Sequence, residues 1–246
     1  MKKKILSNLF KFICLLCSLI FLIWAYQSGN FQLIFDYPDE FIVLFSEHLK
    51  LVTLSSALAI FTSIPVGIFI TRERFKKFEW AFLNLANIGQ AVPSIAVLAL
   101  IMLVLGIGLY SAVIALFMYS LLPILRNTVE GIKSIDNQLL DSAKGMGLTP
   151  TQILFRIEIP NALPTMMGGI RTAVVLNIGN AALAYLIGGG GLGDYIFTGI
   201  EMLDSTYLLS GAVPVTLMAI IADSSLRLIE RFITSKGVRL RQSAIN

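Results

Sequence analysis

The segment from Asp136 to Pro160, DNQLLDSAKGMGLTPTQILFRIEIP, is the one long polar stretch between apolar segments that could each cross a bilayer. Its pattern predicts two short helices joined by a glycine hinge. Asp136 suits the N-cap of the first helix, and apolar residues follow it at helical spacing. The run from Thr149 to Gln152 has the form of a capping box with proline at the first helical position, so a second helix is expected there.

The hinge is predicted at Gly145 and Gly147, because glycine accepts the positive φ angles that end such a helix. Pro160 is expected to end the second helix, since its ring clashes with a continuing turn. A compact, hinged helix pair of this kind at a membrane surface suits docking to a partner.

The spacing within this segment resembles the cytoplasmic loop of permease subunits of binding-protein-dependent ABC importers. That family carries Glu-Ala-Ala, three residues, Gly, nine residues and then Ile-x-Leu-Pro. Here Asp-Ser-Ala, ending at Ala143, is followed after three residues by Gly147 and nine residues later by Ile-Glu-Ile-Pro, ending at Pro160. Asp for Glu, Ser for the first Ala and Ile for Leu depart from the pattern but keep charge, size and apolarity.

The amino-acid sequence around this pattern, over residues 49–232, resembles the osmoprotectant branch of the family, whose permeases serve importers of glycine betaine, choline and carnitine. The resemblance implies an all-α integral membrane fold of the type I ABC importer permease kind, with six transmembrane helices and a cytosolic coupling helix pair. It also implies three partners: a cytosolic ABC ATPase dimer, a second permease subunit that is identical or paralogous, and an extracytoplasmic substrate-binding protein.

Residues 134–160 are, on this resemblance, the coupling segment that contacts the ATPase. The residues to which the resemblance assigns that contact are Asp141, Ser142, Ala143, Lys144, Gly145, Met146, Gly147, Ile157 and Pro160. ATP would bind to the partner, so neither an ATPase site nor a cofactor is expected in this chain. The dipeptide Gly-Lys of a P-loop does not occur in the sequence, which agrees with that expectation.

Composition points to a membrane protein by a separate route. Hydrophobic residues make up 56% of the 246 residues and charged residues 14%, and the mean hydropathy is +0.80. A helix needs about 20 apolar residues to cross the hydrocarbon, and six segments approach or exceed that length. They are residues 12–26, 49–70, 82–105, 111–125, 166–187 and 207–226. We expect a single transmembrane domain over residues 1–246.

Charge placement predicts the orientation of these spans. All of the 19 basic residues except Lys50 and Arg171 fall on one side of a six-span arrangement, and the loops on the other side are acidic. By the positive-inside rule, we expect both termini and the coupling segment to be cytosolic. The family resemblance implies that the membrane is a bacterial cytoplasmic (inner) membrane. The net charge of +4 therefore reflects topology, and no nucleic-acid partner is expected.

Three features could be mistaken for functional sites that we do not expect here. Residues 188–193 match the letters G-x-G-x-x-G, but an apolar helix precedes them where a dinucleotide fingerprint needs a strand, so a tight turn after the fifth span is expected. His48, the one histidine, is expected to be an interfacial residue. Cys14 and Cys17 lie in an apolar segment and are expected to be packing or lipid-facing residues. The sequence predicts no active site.

Polar residues inside the spans are candidates for lining a translocation path, because polar groups are costly in lipid. The candidates are Asn84, Asn87 and Gln90 in the third span and Asn177, Asn180 and Tyr185 in the fifth. The alternative for all of them is hydrogen bonding between helices. Arg171 is expected to reach the inner headgroups, and Asp223 is expected to pair with Arg227 one helical turn away.

The family resemblance thus implies a transmembrane subunit of an ATP-driven importer, with quaternary ammonium osmoprotectants such as glycine betaine, choline or carnitine as substrates. Three alternatives stay open at this point. They are an ion-coupled secondary transporter, an ABC permease for another small solute such as an amino acid, and a membrane scaffold that transports nothing. The sequence does not distinguish among the three osmoprotectants, or between a homodimer and a heterodimer of permeases.

Overall fold

The computed structural model describes residues 12–13, 16–17, 19–21, 23–234 and 237, without the side chains of residues 76, 86 and 89. In that part of the chain every regular element is a helix. In chain order they are α1 (Gln32–Asp36), α2 (Pro38–Ile70), α3 (Lys76–Ala91), α4 (Ser94–Leu105), α5 (Leu109–Lys133), α6 (Asn137–Gly145), α7 (Pro150–Ile153), a π-helical turn (Leu154–Glu158), α8 (Ile159–Ala181), a 3₁₀ turn (Ala182–Ile187), α9 (Gly193–Met202) and α10 (Ser205–Ile233).

Four helices in the described residues are long and apolar enough to cross a membrane. They are α2, α5, the helix that runs without a break over Pro150–Ile187, and α10. These four correspond to the second, fourth, fifth and sixth spans predicted from the sequence. The chain is therefore an all-α, multi-pass membrane protein.

The third predicted span is two helices rather than one. Val92 is extended, with ψ of 132°, and Pro93 has ψ of 137°, so α3 ends before this pair and α4 begins after it. The residue before a proline is driven out of the helical region, which explains the break. The hydroxyl of Tyr119 on α5 donates to the carbonyl of Val92 and so satisfies a group that the break leaves free. The first predicted span, residues 12–26, lies partly outside the described residues.

The two connections on the side that the charge pattern predicts to be external, called the outer connections below, are partly helical. The segment 27–48, between the first and second predicted spans, contains α1 and the beginning of α2. Helix α2 starts at Pro38 because proline suits the first turn and Asp39 and Glu40 follow it there, where acidic side chains complement the helix dipole. The second outer connection, 189–206, contains α9.

Helix α5 is the centre of the bundle, with α2 and α8 as its main neighbours. Small residues of α8 permit this packing. A Cβ at Gly169 of α8 would lie 2.6 Å from the carbonyl oxygen of Pro123, so α5 and α8 approach each other at backbone distance. A large apolar core lies among these helices and includes Leu51, Leu116, Ile178 and Tyr195.

Candidate functional site

The first half of the coupling segment forms as its sequence predicts, with one exception. The Asp136 carboxylate accepts a hydrogen bond of 2.9 Å from the backbone N–H of Gln138 and caps α6. Gly147 has φ of +80° and ends the turn that follows α6. Gly145, the other predicted hinge residue, lies within α6, so a single glycine turns the chain.

The second half begins as predicted and ends differently. Thr149 and Gln152 form both hydrogen bonds of a capping box, of 2.9 and 3.3 Å. Pro160 does not end the helix, so that prediction is wrong. The backbone N–H of Ile159 bonds to the carbonyl of Leu154, five residues back. This π-helical turn shifts the backbone hydrogen-bond pattern by one residue just before Pro160, which has no N–H to donate. Helix α7 therefore continues into α8.

The coupling segment presents a mixed polar and apolar face to solvent. Met146 is 73% exposed and Phe155 64% exposed, although both are large apolar side chains. Of the residues assigned to coupling, Asp141, Ser142, Lys144, Gly145, Met146 and Gly147 are exposed, Ile157 and Pro160 are half-buried, and Ala143 is fully buried. Ala143 therefore packs α6 inward, and its neighbours face outward.

An ion pair joins the end of the coupling segment to the end of α2, and no pattern in the sequence predicted it. The carboxylate of Glu158, a residue that is 8% exposed, accepts a 2.6 Å hydrogen bond from Nη2 of Arg72. Nε of Arg72 also donates to the carbonyl of Ile68, at 3.2 Å, which fixes the guanidinium at the end of α2. In the sequence, Arg72 was one of the basic residues that indicate the orientation of the spans. Glu158 occupies the variable position of Ile-x-Leu-Pro, to which the pattern assigns no residue type.

The candidate path residues of the fifth span have different surroundings. Asn177 is 1% exposed, and its amide donates to the hydroxyls of Ser55 and Ser56 on α2, at 2.6 and 2.9 Å. This is the interhelical hydrogen bonding that was the alternative to path lining. Asn180 and Tyr185 are half-buried, and Tyr185 stacks on Phe197 of α9 with 6.0 Å between ring centroids. A path role for these three residues stays a prediction.

The candidates of the third span belong to a different part of the bundle. Asn84 and Asn87 line a groove of about 610 Å³ between α3 and α5, together with two ion pairs, Glu79–Lys133 and Arg126–Glu130. The side chain of Gln90 instead donates to the carbonyl of Tyr119, at 3.1 Å, next to the break between α3 and α4. Their path role also stays a prediction.

The glycine-rich turn after the fifth span is confirmed. Gly188, Gly190 and Gly191 all have positive φ, and the 3₁₀ turn ends at Ile187. His48 is not interfacial as expected: it is fully buried, and its Nε2 donates to the carbonyl of Ile178, at 3.0 Å. The sequence places this histidine near the end of a predicted span, and the greater length of α2 brings it inside the bundle.

Arg171 also differs from its prediction. Its guanidinium does not reach for headgroups but binds two acids of α10, Asp223 at 3.0 Å and Glu230 at 3.1 Å. The predicted pair of Asp223 with Arg227 is present, at 2.7 Å. Asp223 and Glu230 are seven residues apart on one helical face, and that spacing was a signal for a shared partner.

Comparisons of this chain with known proteins agree with the family resemblance described in the sequence analysis. Residues 63–235 match the family described as "Binding-protein-dependent transport system inner membrane component". A glycine betaine/carnitine/choline transport system permease protein, OpuCB of Bacillus subtilis, is 47% identical over 78% of this chain and 88% of its own length. The osmoprotectant import permease protein OsmY of Salmonella typhimurium is 42% identical over 76% of this chain and 79% of its own.

Two solved structures share the fold. An inward-facing conformation of the MetNI methionine ABC transporter matches with a TM-score of 0.72 at 22% identity, covering 80% of this chain and 97% of that one. An amino acid ABC transporter crystallised with histidines matches with a TM-score of 0.66 at 18% identity, covering 82% and 97%. At these identities the likeness concerns the arrangement of helices.

Proposed function

The chain belongs to the family of binding-protein-dependent transport system inner membrane components, and from that premise we propose its role. It is the transmembrane subunit of an ATP-driven importer for quaternary ammonium osmoprotectants such as glycine betaine, choline or carnitine. The substrate class comes from the relatives that share more than 40% of their residues with this chain. Family membership argues against the ion-coupled secondary transporter and the scaffold.

The observation that carries the coupling part of this proposal is the unbroken helix over Pro150–Ile187. Its inner end is α7, which belongs to the coupling segment, and its outer part contains α8, which packs against α5 at the centre of the bundle. A force applied to α7 is therefore applied directly to a membrane-spanning helix. A rigid connection of this kind supports rigid-body switching between outward and inward openings.

The partner surface in this proposal is the exposed face of the coupling segment. Met146 and Phe155 supply apolar contacts, and the exposed pair of Asp141 with Lys144, at 3.1 Å, supplies charge. Anchoring side chains of these types with a polar rim are typical of protein interfaces. The partner is a cytosolic ABC ATPase dimer, which binds and hydrolyses the ATP.

The ion pair of Arg72 with Glu158 extends the connection to a second helix. Because Arg72 follows α2 directly and Glu158 precedes α8, the pair ties the inner ends of α2 and α8 together. The amide of Asn177 ties the same two helices deeper in the membrane. We infer that α2 and α8 move as one unit when the ATPase closes.

The remaining parts of the assembly follow from orientation and family. A second permease subunit, identical or paralogous, completes a path between two such bundles, and a binding protein delivers substrate from outside. Both termini and the coupling segment face the cytosol of a bacterial cell, since the basic residues cluster on that side. The neutral polar side chains of Asn180 and Tyr185 suit a zwitterion or a cation that passes without being held tightly.

Reconstituted transport tests the proposal. The complex with its ATPase, in proteoliposomes that receive purified binding protein, is expected to import radiolabelled glycine betaine, choline or carnitine when ATP is supplied. Methionine and histidine serve as competing solutes under the same conditions. Import of the amino acids without import of any quaternary ammonium compound would overturn the substrate class, and uptake independent of ATP hydrolysis would overturn the importer.

A further inference from the structure

The helix over Pro150–Ile187 changes type near its outer end, at the point where a side chain of α2 contacts its backbone. At Ala182, where the 3₁₀ turn begins, the backbone N–H bonds to the carbonyls of Asn180 and Gly179. The carbonyl of Ile178, just before this change, accepts from Nε2 of His48, at 3.0 Å. Because Ile178 is buried, this hydrogen bond satisfies a group that water does not reach.

The other end of the same stretch is held by the neighbouring residue of α2. The backbone N–H of Gly191 donates to Oε2 of Glu47, at 3.0 Å. A hydrogen bond to a charged acceptor is stronger than one between neutral groups. The turn fits closely around this contact, since a Cβ at Gly190 would collide with the Glu47 carboxylate and one at Gly191 would lie 3.2 Å from Cα of His48.

Residues 178–191, which we call the outer segment, are thus attached at both ends to two consecutive residues of one helix. The stretch between the attachments contains Asn180 and Tyr185, the half-buried candidates for the path. It begins with the last residues of α8, including Asn180, and continues through the 3₁₀ segment Ala182–Ile187 and glycines with positive φ, which hold their shape less firmly than an α-helix does. The carbonyl of Ile187 also accepts from the backbone N–H of Gly108, at 2.9 Å, so the two attachments to α2 belong to a small set of contacts that holds this conformation.

We propose that Glu47 and His48 are positioning residues for transport, which hold the outer segment so that Asn180 and Tyr185 face the substrate path. The inference rests on the proposed transport function for its meaning. The contacts themselves reach across 130 residues of sequence for His48 and 144 for Glu47, so they are tertiary contacts made by side chains of α2. Release of either contact frees one end of the outer segment without removing apolar core.

Paired variants test the proposal in the assembled importer. Glu47→Ala and His48→Leu remove the acceptor and the donor, whereas Glu47→Gln and His48→Gln keep an acceptor and a donor at similar reach. We expect the Ala and Leu variants to lower the maximal uptake rate roughly tenfold, on the scale of one buried hydrogen bond, and the Gln variants to retain most of it. Ser46→Ala is the matched control, because the Ser46 hydroxyl donates to Val43 of its own helix.

A second measurement reports position directly and does not depend on substrate. Tyr185→Cys is introduced after Cys14 and Cys17, the two cysteines of the chain, have been changed to Ser. The rate at which an impermeant maleimide labels Cys at 185 from outside is then compared with and without Glu47→Ala. We expect the labelling rate to change severalfold in that background and not with Ser46→Ala.

The two readouts separate the possible outcomes. Unchanged uptake and unchanged labelling in Glu47→Ala and His48→Leu would overturn the positioning role, as would equal losses in the Ala, Leu and Gln variants at normal complex levels. Failure of the unsubstituted complex to import any quaternary ammonium compound would instead overturn the proposed function, while the labelling experiment would still decide whether Glu47 holds the outer segment.

Discussion

Loss of the Arg72 guanidinium is expected to uncouple ATP hydrolysis from transport, because the inner ends of α2 and α8 would no longer be joined. Arg72→Ala leaves the carboxylate of Glu158 buried, with 10% of its side chain exposed, and without the charge that it faces at 2.6 Å. Removal of one partner from a fully buried pair costs about 3–5 kcal/mol. The Arg72 side chain is 35% exposed, so screening by solvent reduces the expected loss to about 1–3 kcal/mol.

Purified complexes provide the assay for this prediction. We expect Arg72→Ala to lower the unfolding midpoint in detergent and to reduce the substrate imported per ATP hydrolysed, while the ATPase still co-purifies. Glu158→Gln keeps a hydrogen-bond acceptor and removes the buried charge, so its effect on stability should be smaller. The reciprocal exchange, Arg72→Glu with Glu158→Arg, restores an ion pair and should recover part of the coupling.

Arg74→Ala is the matched control, because Arg74 lies in the same connection and its guanidinium faces the Phe75 ring, 5.7 Å from the centroid. Arg74→Ala removes one positive charge from the same connection as Arg72→Ala does. If Arg72→Ala and Arg74→Ala transport equally well per ATP, the ion pair does not transmit motion.

Three further predictions concern the coupling segment, the bundle and the orientation. Gly147→Val has open space for its side chain but requires φ near +80°, so we expect strain of about 1–3 kcal/mol and weaker co-purification of the ATPase or less uptake per ATP. Asn177→Leu removes two hydrogen bonds between α2 and α8, so thermal stability of the complex should fall by about 0.5–2 kcal/mol, with slower transport. Cysteines at Lys144 and Asp204 should differ in labelling by an impermeant reagent on intact cells, with Asp204 the accessible position.

Matched variants decide the first two of these predictions, and the labelling pattern decides the third. Gly145→Ala is expected to leave ATPase association unchanged, since Gly145 is helical and a Cβ there meets no atom within 4 Å. Asn180→Leu changes a half-buried residue, so it should slow transport with a smaller loss of stability than Asn177→Leu. Normal coupling in Gly147→Val, equal stability in the two Leu variants, or equal labelling of both cysteines contradicts the respective prediction.

The parts of the molecule that local rules govern were predictable from the sequence. The Asp136 cap, the Thr149 capping box and the positive φ of Gly147 each depend on residues within three or four positions of one another. Apolar length likewise predicted four of the spanning helices, because the bilayer imposes it on any chain. The Asp223–Arg227 pair belongs with these features, since it forms within a single helical turn.

One of the wrong predictions concerns a local change of helix type, and the others concern contacts distant in sequence. Proline rules alone predicted a stop at Pro160, whereas a π-helical turn carries the helix through it. The environments of His48 and Arg171 are set by α8 and α10, which lie far along the chain from the residues that they contact. No pattern within α2 shows that its histidine will donate to a backbone carbonyl of α8, 130 residues further along the chain.

The π-helical turn at Leu154–Glu158 also fixes the rotational phase between the docking face and the spanning helix. Each residue of an α-helix advances the side chains by about 100°, so a helix with one residue more or fewer points its face in a different direction. A deletion within this turn could restore regular α-helical bonding and yet swing α7 by about 100° relative to α8. The interval between Pro150 and Pro160 is therefore expected to accept many substitutions of similar polarity while tolerating no change in its length.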